Sequence, residues 1–322
     1  MRRFQLLAVL WGLLVIAGLI LSLGWAQIAA QLRHIGPGFS WVLGAYLATL
    51  LIYSLPLGLL LPMRPSLRAL VASRCAAVSV NAATPLLGIG GEPVRLLWLA
   101  PEMRARGAAA LVIDRSAFYV ASALFLTFGV AAATRFSRLP RFAIELLTAI
   151  GLATILLTLA LLLLERRHGV LLPIARLVGH LAPRRRLQLE QRANELDAII
   201  RHFHHQRPGR FSAAVALHLA GRLLSVLEIL AVSRLLHLGL DLSGGLVFAA
   251  LPLLVDLAFG LIPSQLGVHE GSTALLATLV GLEPAAGLAL AFVLRLRQVV
   301  FVALGFTLLG LRRHKRALVA VS

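Results

Sequence analysis

The sequence contains little cysteine, lysine and acidic residue, and each shortage excludes something. Cys75 is the one cysteine, so no disulfide can form within the chain, and its presence does not identify a redox compartment. Of the 31 lysines and arginines only Lys315 is a lysine, and only 13 aspartates and glutamates oppose them. In a soluble protein the resulting net charge of +18 would suggest a nucleic-acid partner.

Motifs for catalysis and metal binding are also lacking. The sequence has no nucleophile elbow, no HExxH pair and no zinc-ligand spacing. The Gly-rich run at 88–91 follows no strand pattern, so it is not a dinucleotide or phosphate loop. His202, His204 and His205 lie in a basic segment without cysteine or an acidic cage, so we expect no metal and no other cofactor. No soluble stretch is long enough for a catalytic domain, and we expect the protein not to be an enzyme.

Apolar residues make up 59% of the chain and are gathered in runs. Several runs approach the roughly 20 residues that cross a bilayer as a helix, which predicts an all-α polytopic membrane protein. The positive charges lie mainly between these runs. They are therefore better explained by membrane topology and contact with anionic lipid headgroups than by nucleic acid.

Six of the apolar runs predict full membrane spans. They cover residues 6–23, 39–61, 107–133, 142–164, 211–236 and 285–311. The first run is longer than a signal-peptide core of about 7–15 residues, so we expect it to remain as an uncleaved span. Between the fourth and fifth spans lies a polar segment, 165–210, with ten arginines.

One part of this polar segment has helical periodicity. Its apolar residues recur at spacings of three to four: Leu189, Ala193, Leu196, Ile200 and Phe203. This spacing predicts an amphipathic helix, which we expect to lie on the membrane surface.

Two further apolar stretches, 69–91 and 245–281, are interrupted by proline and glycine. In each, a proline is followed seven residues later by a glutamate, Pro85 by Glu92 and Pro263 by Glu270. Irregular backbone at membrane depth is tolerated only where protein buries it or where it lines a wet cavity. Two such breaks in corresponding places indicate a binding site.

The positive-inside rule gives these broken stretches a direction. Placing the ten-arginine segment and the basic tail in the cytoplasm puts both termini there, and residues 69–91 then enter and leave from the cytoplasmic side. Residues 245–281 enter and leave from the outer side. The prediction is two re-entrant hairpins within inverted-topology repeats, 1–135 and 141–312, followed by a tail at 313–322. The outer loop with Arg135, Arg138 and Arg141 runs against the rule.

Charged residues inside apolar stretches mark the candidate site. A charge at the bilayer centre costs about 2.5–3.5 kcal/mol on insertion scales, so it normally faces a protein interior or a pathway. The affected residues are Arg74, Arg115, Arg222, Arg234, Arg295, Arg297, Glu92, Asp114, Glu228, Asp256 and Glu270. Arg115 follows Glu92 by 23 residues and Arg295 follows Glu270 by 25, so each half supplies a similar pair. Arginine forks and helix N-termini would suit a lipid phosphate.

Structural explanations stay open for the same residues. Asp114 and Arg115 are also interpretable as a structural pair at a helix end, and Glu92 and Glu270 as caps of their own hairpins. Arg222 and Glu228, six residues apart, do not share a helix face and favour packing roles, and Arg234 is placed to snorkel to the interface. Arg295 and Arg297 point about 200° apart on a helix, and Arg295 shares a face with Gln298, so Arg295 is our choice.

The two broken stretches resemble a known family. The run Asn81-x3-Pro85-x4-Gly90-Gly91-Glu92-x2-Arg95, then Asp114-Arg115, and later Gln265-x-Gly267-x2-Glu270-Gly271 with Arg295, is similar to the transmembrane family named after the lysylphosphatidylglycerol synthases. In its multiple peptide resistance factors, this membrane part is a lipid flippase joined to a cytoplasmic aminoacyl-transferase. This chain ends at Ser322 without room for that domain, so it resembles a stand-alone member and synthesis of an aminoacylated lipid is not implied.

The resemblance and the charges together predict a site and a function. The expected headgroup-binding residues are Arg74, Asn81, Glu92, Asp114, Arg115, Gln265, Glu270 and Arg295, and the expected hinges are Pro85, Gly90, Gly91, Pro263, Gly267 and Gly271. We expect a translocase that moves a phospholipid or other polar-headed lipid between the leaflets of the bacterial inner membrane by alternating access. Its expected partners are membrane lipids with a phosphate-bearing headgroup, and we expect no nucleic-acid partner. Two alternatives stay open: a membrane-embedded enzyme acting on lipid or polyprenyl phosphates, and a non-transporting scaffold for a hopanoid or glycosyltransferase pathway.

Overall fold

A computed structural model describes residues 35–63, 65–84, 88–136, 141–259, 265 and 267–319, and these are helical with no strand. The first predicted span and the predicted hinges Pro85 and Pro263 lie outside the described residues. In chain order the helices are α1 Phe39–Leu60, α2 Leu67–Ala83, α3 Glu92–Arg95, α4 Arg104–Ala133, α5 Arg141–Arg167, α6 Leu171–Leu181, α7 Arg186–Gln206, α8 Pro208–Leu235, α9 Leu242–Ala250, α10 Pro252–Phe259, α11 Val268–Leu279 and α12 Pro284–Val319.

Six helical segments of the described chain are long and apolar enough to cross a membrane: Gly36–Leu60, Pro101–Ala133, Ile144–Arg167, Pro208–Leu235, Leu242–Phe259 and Pro284–Arg312. Five of them correspond to predicted spans, which confirms the all-α polytopic class. The other, Leu242–Phe259, is the first part of the stretch predicted as the outer hairpin. By length and composition alone it could also cross, so its re-entrant assignment stays a prediction.

The first broken stretch turns back on itself. In the last turn of α2, the side chain of Asn81 accepts a hydrogen bond of 2.6 Å from the backbone N–H of Gly91. Gly91 lies against the backbone of Ala77, where a Cβ would overlap it. By Leu99 the chain again packs beside Leu70, near the start of α2. The chain thus returns to the end of the bundle at which it entered, where α1 ends and α4 begins.

The second broken stretch belongs to the opposite end. Asp241 starts α9 by accepting a hydrogen bond of 2.8 Å from the Gly244 N–H. Val247 in α9 and Ala277 in α11 then share one apolar cluster with Val232 near the end of α8 and Val293 in the first half of α12. Both arms of this stretch therefore lie where α8 ends and α12 begins.

Each last span packs against the broken stretch of the other half. In α4, Gly129 lies so close to Ala250 of α9 that a Cβ would overlap it. In α12, Gly305 lies equally close to the backbone of Cys75 in α2, and the Ser79 hydroxyl there donates a 3.3 Å hydrogen bond to the Phe301 carbonyl. The α2–α12 and α4–α9 packings are therefore reciprocal, and α1 packs against α8 between them.

The basic segment forms a hairpin of α6 and α7. The carboxylate of Asp197 in α7 accepts hydrogen bonds from three backbone N–H groups at the start of α6, of Val170, Leu171 and Leu172, at 3.2, 3.1 and 2.9 Å. Because the first N–H groups of a helix have no partner within the helix, this carboxylate satisfies them and fixes the hairpin.

The predicted amphipathic helix exists as α7, and protein covers much of its apolar face. Ala193, Ile200 and Phe203 are buried, and the last two pack in the cluster formed with the end of α1 and the start of α4. Periodicity identifies an apolar face without showing whether protein or lipid covers it. The preceding helix α6 instead exposes apolar side chains, Ile174, Leu177 and Val178.

Candidate functional site

The break after α2 places a glutamate among three arginines. Glu92 begins α3, and its carboxylate lies 3.5 Å from Arg74 Nη1 of α2, 3.0 Å from Arg95 Nη1 of α3 and 2.7 Å from Arg115 Nη2 of α4. The Glu92 side chain is only 7% exposed. One carboxylate therefore connects three helices in the interior, and we call this set with Asp114 and His218 the first cluster.

Asp114 links Arg95 to the fourth helix of the first cluster, α8. Its Oδ2 lies 2.7 Å from Arg95 Nη1 and its Oδ1 lies 2.8 Å from His218 Nε2. Arg95 is fully buried and His218 is 1% exposed. Asp114 and Arg115, adjacent in sequence, thus have different partners, and the interpretation as a structural pair with each other is wrong.

The first cluster has an excess of positive charge. Three guanidinium groups face two carboxylates, which leaves a net charge of +1 while His218 is neutral. Several buried donors have no hydrogen-bond partner among the described residues: Nε of Arg74, Arg95 and Arg115, and Nη2 of Arg95. Because burying an uncompensated charge is unfavourable, this arrangement favours an anion.

Arg115 also contacts the backbone of the break. Its Nη2 donates to the Gly88 carbonyl as well as to Glu92. Gly88 has a φ of 71°, a left-handed conformation that suits glycine. The guanidinium therefore holds the helix start at Glu92 and the irregular backbone before it at the same time.

A second cluster repeats this arrangement in the other half. Arg295 of α12 donates from Nε to Glu270 Oε1 at 2.5 Å, and from Nη2 to Glu270 Oε2 at 3.3 Å. Its Nη2 also donates to the Gln265 carbonyl at 3.0 Å, and its Nη1 to the side chain of Gln298 at 2.7 Å. Gly267, with a φ of 79°, is the N-cap residue of α11, and Glu270 Oε2 accepts a hydrogen bond from its N–H at 2.8 Å.

The second cluster is Arg295 with Glu270, Gln265 and Gln298, and it shares with the first cluster an arrangement that we call the clamp. In each, an arginine of the last span holds a glutamate in the first turn of the helix after the break and a backbone carbonyl of the break itself. Glu270 therefore both caps its own helix and pairs with Arg295, so the two interpretations are compatible. The clamps differ in burial, because the Glu270 side chain is 24% exposed while that of Glu92 is 7% exposed.

Asp256 lies near the second cluster and Arg222 near the first. The side chain of Asp256 in α10 accepts a hydrogen bond from Gln265 and is within electrostatic reach of Arg222 and Arg295. Arg222 in α8 donates to Ser122 at 2.8 Å and lies 4.6 Å from the centre of the Phe118 ring. In the described part of the chain no ion pair joins one cluster directly to the other, so they are two linked positions rather than one.

The remaining intramembrane charges have other partners. Arg297 pairs with Glu228 of α8 and lies 4.0 Å from the centre of the Tyr46 ring. Arg222 and Glu228 do not pair with each other, in keeping with their spacing. Arg295 and Arg297 face different helices, and of the two Arg295 is in a clamp.

His204 has a different environment from the one expected of it. The sequence places it in a basic segment without an acidic cage. In the structure it is buried, 6% exposed, and its Nε2 lies 3.0 Å from Glu165 Oε1 of α5. Among the described residues no group of three histidine, cysteine or acidic side chains is arranged to hold a metal ion.

Comparison with protein families gives a match that includes both broken stretches. A family model described as "Lysylphosphatidylglycerol synthase TM region" matches residues 9–305. The chain belongs to this family. The match includes both clusters and confirms the resemblance, and it fits a membrane protein of lipid-related processes. No curated protein and no solved structure matches the chain.

Two residues of the first cluster in this lysylphosphatidylglycerol synthase TM region protein were not among the predicted site residues. Arg95 is part of the motif, and its position three residues after Glu92 on a helix was the available signal. His218 is a polar residue in an apolar span, which by itself indicates a partner. Among the predicted residues, Asn81 closes the turn at Gly91 rather than facing the arginines.

Proposed function

We propose that this protein is a lipid translocase that moves a phosphate-bearing lipid between the leaflets of the bacterial inner membrane, with both termini in the cytoplasm. The observation that carries the proposal is the pair of clamps. Each joins a last span to a broken stretch, and the described parts of the two broken stretches pack at opposite ends of the bundle. A translocase needs a site that opens alternately to two sides, and two oppositely placed broken segments supply it.

The reciprocal packing supports an inverted-repeat arrangement. The broken stretch of each half packs on the last span of the other, through Gly305 in one case and Gly129 in the other. Close glycine contacts allow helices in a bilayer to approach each other. Rocking of one half against the other would therefore move each broken stretch relative to the clamp of its own half.

The charges support a phosphate-bearing headgroup. The guanidinium is a planar fork that matches two phosphate oxygens, and the first cluster keeps buried donors and a net charge of +1. In the absence of lipid, Glu92 and Glu270 neutralise Arg115 and Arg295. A phosphate entering the clamp takes over part of this role, which loosens the contact between the last span and the break.

Reconstitution in liposomes tests the proposal. Wild-type protein and the double variant Arg115→Ala plus Arg295→Ala are compared for movement of a fluorescent phospholipid between leaflets. Charge-assisted hydrogen bonds are worth about 1.5–3 kcal/mol, so we expect a loss of about tenfold or more. Arg234→Ala, at an exposed position near the end of α8, is the matched control and should move lipid at the wild-type rate.

Equal rates in wild type and double variant would overturn the proposed function. Mass spectrometry of the recovered lipid distinguishes a translocase from the alternative, a membrane-embedded enzyme. A translocase leaves the lipid chemically unchanged, whereas an enzyme acting on lipid phosphates would convert it in detergent, where transport has no meaning.

A further inference from the structure

His218 is the one member of the first cluster whose ordinary titration lies near neutral pH. It lies about 15 Å along α8 from Pro208, at 1.5 Å per residue, which is about half of the 30 Å hydrocarbon thickness. Its Nε2 faces the Asp114 carboxylate at 2.8 Å, and its Nδ1 has no partner in the described part of the chain. A histidine that lies inside an apolar span and contacts a carboxylate is characteristic of proton pathways in transporters.

The surroundings of His218 determine what a proton there would do. Phe118 of α4 packs against the imidazole with its ring centre 5.4 Å away. The titratable and charged groups facing the imidazole come from every neighbouring helix: Tyr53 of α1, Arg74 of α2, Arg95 of α3, Asp114 of α4 and Arg222 one turn along α8. Asp114 already has Arg95 as a partner at 2.7 Å. A proton on His218 would therefore add to a region that already carries an excess of positive charge.

The charge balance links the proton to an anion. The cluster carries +1 with neutral His218 and +2 with protonated His218, because the three guanidinium groups and two carboxylates are unchanged. A lipid phosphate with one negative charge returns the protonated cluster to +1. Occupation by the anion favours protonation, and protonation favours the anion by the same factor.

We propose that the first cluster binds an anionic lipid headgroup together with one proton, and that His218 carries this proton. In the neutral state the Nε2–H donates to Asp114 and the lone pair is on Nδ1. A hydronium ion donates a proton to Nδ1: one O–H bond of the hydronium breaks, an N–H bond forms, and a water molecule is released. The imidazolium keeps its hydrogen bond to Asp114 and offers Nδ1–H to a phosphate oxygen. The inference rests on the proposed function only in identifying the anion as a lipid headgroup.

This linkage would give the translocase a driving force. If proton and anionic headgroup are bound and released together, a pH difference across the membrane biases the direction of lipid movement. A lipid whose headgroup has no net charge would gain less from protonation of His218. The cluster would then select anionic lipids more strongly at low pH than at high pH.

Binding measurements test the linkage independently of transport. The purified full chain is placed in nanodiscs of phosphatidylcholine, and phosphatidylglycerol is titrated at several pH values between 5.5 and 8, roughly the range in which a histidine titrates. For one linked proton the affinity rises as pH falls, by at most about tenfold per pH unit. A pH indicator in weak buffer measures the protons taken up for each lipid bound.

Two histidine variants make the test specific. His218→Gln keeps a donor toward Asp114 but cannot be protonated, so the pH dependence of affinity and the proton uptake should be lost. His204→Gln removes the matched buried contact with Glu165, at 3.0 Å, and should keep both. Two results for the wild-type protein would overturn the inference: no binding of phosphatidylglycerol, or binding whose affinity does not depend on pH. A His218→Gln variant that keeps the wild-type pH dependence of affinity would also overturn it. Absence of translocation in wild type would instead count against the proposed function.

Discussion

The guanidinium of Arg95 and the carboxylate of Asp114 form an ion pair of 2.7 Å in the interior of the protein, with side chains 0% and 4% exposed. Arg95 lies in the segment that returns from the first break, and Asp114 lies in the following span. This pair therefore fixes the returning segment to α4. Removing one partner of a buried pair leaves an uncompensated charge, which is far more destabilising than losing the attraction alone.

Asp114→Asn should therefore lower stability by about 3–5 kcal/mol. Thermal unfolding in detergent measures the effect, with Glu145→Gln at an exposed position of α5 as the control of equal chemistry. Adding Arg95→Gln to Asp114→Asn should recover part of the loss, because Glu92 keeps Arg74 and Arg115 as partners. A double variant less stable than Asp114→Asn would show that the buried charge is not the cause.

The reciprocal glycine contacts should tolerate no side chain. Gly129→Ala and Gly305→Ala each place a Cβ against a neighbouring helix, Ala250 in one case and the backbone of Cys75 in the other. Overpacking of this kind typically costs about 1–3 kcal/mol. Gly310→Ala, five residues further along α12 with no atom near its Cβ position, is the control and should be neutral. Unfolding midpoints equal to that of Gly310→Ala would contradict the packing described.

The α6–α7 hairpin should depend on Asp197. Asp197→Ala removes the acceptor of three N–H groups, of Val170, Leu171 and Leu172, and losing a helix cap costs about 0.5–2 kcal/mol. Hydrogen exchange of these three amides should become faster, while the membrane-spanning helices keep their protection. Glu195→Ala, exposed on the same helix, should leave the exchange unchanged. Equal protection in both variants would show that the cap does not hold α6.

The clamps should need the shape of arginine and not only its charge. Arg115 and Arg295 each contact a glutamate and a backbone carbonyl, which a single ammonium on a flexible stem holds less well. Arg115→Lys and Arg295→Lys should therefore reduce translocation by about tenfold each, on the order of one lost hydrogen bond. Full activity in both lysine variants would show that the clamp works by charge alone.

The length of the apolar runs in the sequence predicted most of the membrane-spanning helices. The run at 107–133 became α4, Arg104–Ala133, and the run at 211–236 became α8, Pro208–Leu235, with arginine near each helix end. Backbone groups in lipid must be satisfied within the segment, so an apolar run of this length has few alternatives to a helix. For α7 the helical spacing of apolar residues predicted the helix but not what covers its apolar face, because protein and lipid both favour apolar side chains.

The candidate site was predicted less completely than the spans. Glu92 with Arg115 and Glu270 with Arg295 were paired by their spacing, and the structure joins both pairs. Arg95 was not predicted as a site residue, although it belongs to the same short motif as Glu92. The contact of His218 with Asp114 joins residues 104 positions apart and depends on the packing of α8 against α4, which no local pattern contains.

The central claim is that the proposed translocation depends on both clamps, and leaflet-resolved movement of lipid in liposomes tests it most directly. The single variants Arg115→Ala and Arg295→Ala are measured for inward and outward movement of a labelled phospholipid, with Arg234→Ala as the control. Because alternating access uses the same residues for both directions, each single variant should lose both directions to a similar extent. A single variant that keeps the wild-type rate in either direction would contradict the account.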